Sequence, residues 1–150
     1  MEVLKIDLLK IDLLEKNVNM PVTIQFKDET LNGVILQTFR IPIVFEKASV
    51  EEIIRTRVLR EVEKYNETIA EYYNGLVQPD DAERTLNGFR MKKRKKIDPE
   101  KQCKEAIQGF ENNAFILLYN NQQVDKLDEV LSIDENTEIS FIKLTPLVGG

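Results

Sequence analysis

Histidine is absent from this 150-residue chain, and cysteine occurs once, at Cys103. Together these two scarcities remove the usual zinc ligand sets and the common Ser/His and Cys/His nucleophile pairs. Neither hydrolytic nor redox chemistry is expected within the chain. One cysteine cannot form an intramolecular disulfide, so a reducing compartment, the cytoplasm, is the expected setting. Cys103 itself, with no base offered to it, reads as a small core residue. The amino-terminal segment, apolar on most sides, is too short to span a bilayer and too acidic for a secretory signal, so no membrane partner is expected.

What is present is an ordinary soluble composition, 42% hydrophobic and 31% charged, enough for one core and one domain. A net charge of −5 argues against general affinity for nucleic acid or anionic membrane. The charge is unevenly placed. Arg84, Arg90, Lys92, Lys93, Arg94, Lys95 and Lys96 stand together without an acidic residue, and those seven cations leave −12 on the remainder. The run from Arg90 to Lys96 lacks interleaved aromatics and reads first as a solvated, flexible linker. As a contact it would neutralise phosphates of a nucleic acid or steer the chain onto an acidic partner.

Taken in order, residues 1–20 form an extension with a local duplication, LysIleAspLeuLeu at 5–9 and 10–14, apolar on most sides. It is expected to pack as a helix or strand on the body of the protein or on a second copy, or to serve as a partner-binding arm. From Pro21, Val22, Ile24 and Phe26 alternate with polar residues, the period of a half-buried strand. Residues 28–33 carry turn chemistry. A second strand follows from about Val34, with Phe39, Ile41, Ile43 and Phe45 on one face; Pro42, lacking an amide donor, assigns it to a sheet edge.

Ser49 and Glu52 make a capping box that opens a long helix, with apolar positions Ile54, Val58, Val62, Tyr65, Ile69 and Tyr72, capped by AsnGly at 74–75. A short helix is expected from Asp80 to a second AsnGly at 87–88. Asp98 and Pro99 start another that buries Cys103, Ala106, Ile107 and Phe110. Strands return with the apolar run 114–119, a turn at 120–123, a loop anchored by Leu127, Val130 and Leu131, and a last strand holding Ile139, Phe141 and Leu144. Ile142 and Leu144 fall on the face opposite Ile139 and Phe141, where they offer a partner surface. The expected class is α+β: a mixed sheet crossed by one long helix, with a helical, basic insertion at about 67–113.

The segment from Ala114 to Gly150 resembles the carboxyl half of a ubiquitin-like β-grasp protein. It is especially similar to the sulfur carriers of thiamine and molybdopterin synthesis, with Tyr119 to Asn121 at their turn, Ile133 to Glu138 at their acidic approach to the last strand, and Pro146 to Gly150 at their Pro-x-x-Gly-Gly tail. Ubiquitin has Arg before GlyGly where this chain has Val148. The resemblance implies a substrate of enzymes with no catalytic residues or bound cofactor of its own. An adenylating, ubiquitin-activating-like enzyme would use ATP in its own site to activate the carboxylate of Gly150. A conjugating enzyme would then pass it to lysines of target proteins, with a deconjugating peptidase to reverse the step; alternatively it would become a thiocarboxylate.

The tail suits either use. Thr145, Pro146, Leu147, Val148, Gly149 and Gly150 reach about 20 Å when extended. Pro146 stiffens the start, and Gly149 fits a slot too narrow for a Cβ. The added segments, foreign to a minimal carrier, suggest further recognition or self-association. A plain interaction module without tail chemistry is the remaining alternative.

Overall fold

The computed structural model describes residues 21–86 and 88–144. The extension at 1–20 and the tail at 145–150 lie outside the described residues. The class is α+β: a five-stranded mixed sheet, a three-stranded antiparallel sheet, a two-stranded pair and, among the described residues, two helices.

The chain opens with β1 (Val22–Glu29) and β2 (Ile35–Ile43), an antiparallel hairpin. Ile24 and Phe26 are fully buried at alternate positions, as the period demands. β1 runs further than expected. Asp28, read as the start of a turn, is the next inward residue of the strand and is buried. Pro42 pairs opposite Thr23 on β2, which is indeed an edge strand. Phe45 does not continue the buried face; it lies beyond the strand and is exposed.

A short strand β3 (Lys47–Ser49) leads into α1 (Val50–Thr68). The capping box forms as expected: Glu52 N donates to Ser49 Oγ at 3.1 Å, and Ser49 N donates to the Glu52 carboxylate at 2.9 Å. α1 buries Ile53, Ile54, Val58 and Val62 completely. It ends well before Asn74, because Ile69 turns left-handed at φ 49° and its N–H closes on Tyr65 O at 2.7 Å. Tyr72, whose spacing fitted the helix, is used elsewhere.

The insertion is therefore not purely helical. β4 (Tyr72–Tyr73), β5 (Ala82–Thr85) and β6 (Gly88–Met91) form the small sheet in the order β4-β6-β5. The expected helix from Asp80 is instead an antiparallel pair of strands, with Ala82 opposite Met91 and Thr85 opposite Gly88. Then α2 (Pro99–Glu111) starts where Asp98 caps the amides of Glu100 and Lys101, as the sequence predicts. It buries Cys103, Ala106 and Phe110, with Gln102 in addition, while Ile107 is half-buried.

β7 (Phe115–Tyr119) and β8 (Gln122–Val124) are joined through Asn120 and Asn121, both at positive φ, the turn that matches strand twist. β9 (Val130–Ser132) pairs with β3, and β10 (Glu138–Lys143) ends the described chain. The large sheet has the order β2-β1-β10-β7-β8, so β10 is central, parallel to β1 and antiparallel to β7. One core cluster joins the inner face of this sheet to both helices and the small sheet, so the insertion shares the core.

Candidate functional site

Strand β10 carries the tail, so its last residues define the site. Ile139 and Phe141 point into the core and are fully buried. Ile142 sits opposite Ile116 on the other face; both are half-buried and neither belongs to the core cluster. Leu144 is half-buried, and its N–H donates to Ala114 O at 3.3 Å, so backbone pairing continues to the residue before the tail. Thr145, Pro146, Leu147, Val148, Gly149 and Gly150 lie outside the described residues.

Between Phe141 and Leu144 stands Lys143, which takes part in a buried ionic network that reading the sequence missed. Arg57, at 0% exposure, grips Asp28 with both terminal nitrogens, Nη2 donating to Oδ2 at 2.7 Å and Nη1 to Oδ1. Arg57 Nε donates to Glu61 Oε1 at 3.0 Å. Lys143 Nζ lies 3.6 Å from the Asp28 carboxylate and donates to Gly75 O in the insertion at 3.0 Å. Gln37 Nε2 completes the set by donating to Asp28 at 2.6 Å. The guanidinium also lies over two rings, 4.9 Å from the centroid of Phe39 and 4.4 Å from that of Phe141.

Each charge is set by this packing. Burial would raise the Asp28 carboxyl, but the hydrogen bonds and charge of Arg57, with Lys143 and Gln37, outweigh it and hold Asp28 below the usual carboxylate value. Burial opposes the charge on Arg57 too, yet Glu61 and Asp28 keep it cationic. Glu61 is pushed up by burial against the pull of Arg57, and Lys143 is pushed down by burial against the pull of Asp28. The arrangement is fixed and mutually satisfied. It ties the tail-bearing strand to β1, α1 and the insertion at once.

A pH dependence follows. Asp28, depressed on folding, contributes stability that is fully present above its unfolded value of about 4 and is lost as pH falls through the lower folded value. The stability gap between the parent and Asp28→Asn, measured by urea unfolding, is expected to be widest near neutrality and to close as pH drops below about 4. A gap that widens on acidification would contradict this assignment.

The basic residues form a second group. Arg90 is exposed on β6, opposite Tyr72 on one side and Glu83 on the other. Lys92, Lys93, Arg94, Lys95 and Lys96 follow as consecutive exposed side chains between buried Met91 and Ile97. Their backbone meets neighbouring elements at two points, Lys92 N donating to Asp81 O at 2.8 Å and Tyr65 Oη reaching Lys95 O at 3.5 Å. Cys103 is completely buried, and burial pushes its thiol up, in keeping with a core residue. Among the described residues no cluster of three or more potential ligand side chains could hold a metal ion, and no helix is long and apolar enough to cross a membrane.

Comparison with known proteins returned no matching family model, no matching curated protein and no matching solved structure.

Proposed function

We propose that this chain is a ubiquitin-like modifier of the β-grasp type, whose Gly150 carboxylate is adenylated by an ATP-using activating enzyme and joined to amines of target proteins. What supports the reading is the position of β10. A hairpin, a helix packed on the sheet, and a last strand returning to the sheet centre parallel to the first are what a β-grasp reading calls for, and in the sequence ThrProLeuValGlyGly follows that strand after Leu144. A central strand paired on both sides is a firm mount for an extended arm. The buried Arg57 network beneath its end adds to that firmness.

The chemistry resides in the partner. The activating enzyme would hold ATP and bring the carboxylate to the α-phosphate; the acyl adenylate forms as pyrophosphate leaves. This chain supplies reach and access, because two glycines put no Cβ between the reacting carbon and a narrow slot.

Incubation with a cognate activating enzyme and ATP is expected to release pyrophosphate, and deletion of Gly150 to abolish the release. Equal release from the deletion variant would sink the reading. Pro146 and Val148 specifically favour a second reading, a sulfur carrier, since they match a Pro-x-x-Gly-Gly tail. Intact mass of the protein from its host separates the two. A terminal thiocarboxylate marks the carrier, and GlyGly remnants on target lysines mark the modifier. A mature protein that continues past Gly150 would exclude both.

A further inference from the structure

The loop 92–96 is built to hold its shape. Lys92 N donates to Asp81 O at 2.8 Å. At the far end the side chain of Asn66 on α1 takes both backbone groups of Ile97, Nδ2 donating to Ile97 O at 3.0 Å and Ile97 N donating to Oδ1 at 2.8 Å. Tyr65 Oη reaches Lys95 O at 3.5 Å, and Met91 N donates to Glu71 O at 2.9 Å. Ordering a residue's backbone costs about 1–2 kcal/mol. A loop tied down at Lys92, at Lys95 and at Ile97 before a ligand arrives binds with part of that cost already met.

A carboxylate already sits among these cations. Lys95 Nζ lies 3.2 Å from Asp81 Oδ2, and Lys95 first, then Lys93 and Lys92, hold the Asp81 carboxyl below its ordinary value. Among the described residues no other member of 92–96 is in an ion pair, so Lys92, Lys93, Arg94 and Lys96 present unneutralised charge on a fixed backbone. A solvated face needs no such anchoring.

We propose that loop 92–96 is a docking site for an acidic peptide segment of a partner protein, its successive Asp or Glu carboxylates taking the cations that Asp81 leaves. Two observations favour a peptide over a nucleic acid. The one aromatic within 88–97, Phe89, is buried, and Tyr72 opposite Arg90 is half-buried, so the run offers no open stacking platform for bases. The −12 carried outside the basic segment would repel a long polyanion, whereas a short peptide meets the loop alone. The site is independent of the tail, and deleting Gly149 and Gly150 is expected to leave it intact.

The experiment is fluorescence anisotropy of a labelled hexaglutamate peptide titrated with the full chain, at low salt and at ~0.15 M salt. Binding that weakens with salt is expected. Lys92→Ser/Lys93→Ser/Arg94→Ser is expected to weaken it about tenfold or more, in line with loss of steered and paired charges. Lys47→Ser/Lys104→Ser/Lys126→Ser removes the same charge from exposed lysines elsewhere and is expected to bind like the parent. Asn66→Ala keeps every loop charge but frees the Ile97 backbone, and a several-fold loss is expected. Absence of binding at low salt overturns the proposal, as does equal loss in the two triple variants. Tighter binding of a 12-nucleotide DNA strand than of the peptide would reassign the loop to nucleic acid. An Asn66→Ala protein that binds like the parent overturns the preformed loop.

Discussion

Arg57→Ala is expected to lower the free energy of unfolding by about 3–5 kcal/mol, the cost of leaving a buried charge without its partner. Asp28 would keep its place at 1% exposure with only Lys143, at 3.6 Å, and Gln37 to answer it. The cavity left between Phe39 and Phe141 adds to the loss, since the guanidinium lies over both rings. Against a typical total of about 5–15 kcal/mol this is about a fifth or more of the whole. The paired substitution Arg57→Met with Asp28→Leu removes both charges while keeping apolar volume, and is expected to lose far less, since a buried pair often yields little net stability over well-packed apolar side chains. Urea unfolding of the singles Arg57→Ala and Asp28→Ala and of their double variant decides it. If the two single effects simply add, the residues are not coupled and the network is not what holds β10.

The same network explains why part of the fold was legible in the sequence and part was not. Alternation over Val22 to Phe26, the Ser49/Glu52 capping box, the Asp98–Pro99 start and Pro42 at an edge each act through neighbours a few residues away, and each was readable. Asp28 was not, because an aspartate beside turn residues is turn chemistry until Arg57, 29 residues on, is known to face it. Arg57 itself lies on the buried face of α1 between Ile54 and Val58 and Glu61 one turn later, a spacing that could have flagged an inward cation. The strand β5 misled for another reason. Ala82, Glu83 and Arg84 favour helix, and four residues are too few for alternation to overrule them, so the segment from Asp80 reads as a short helix where the structure pairs β5 with β6. Anchoring of the basic loop was invisible for want of any local signal, since Asn66 acts 31 residues away. For the proposed activity the tail was legible only as sequence, while the mount beneath it emerged only from the fold.

Gly75→Ala is the second substitution expected to act strongly, and it tests how the insertion is tied to β10. Gly75 was read as a left-handed helix cap, but it is not among the residues at positive φ. Space is the reason for glycine here: a Cβ would collide with Cε1, Cζ and Oη of Tyr73. That ring cannot swing clear, because it is 2% exposed and packs edge-on to Tyr65 with centroids 5.7 Å apart. The backbone must move instead, drawing Gly75 O away from Lys143 Nζ, which donates to it at 3.0 Å. Overpacking of this kind costs about 1–3 kcal/mol, and loss of a charged hydrogen bond adds about 1.5–3 kcal/mol. The expected outcome is a destabilised protein in which proteolysis near the end of β10 is faster. Tyr73→Leu costs stability in the parent, but in the Gly75→Ala background it removes the obstructing ring and is expected to restore part of the loss. Urea unfolding of the four proteins gives the coupling, and simple additivity would mean that Gly75 is there for some reason other than room.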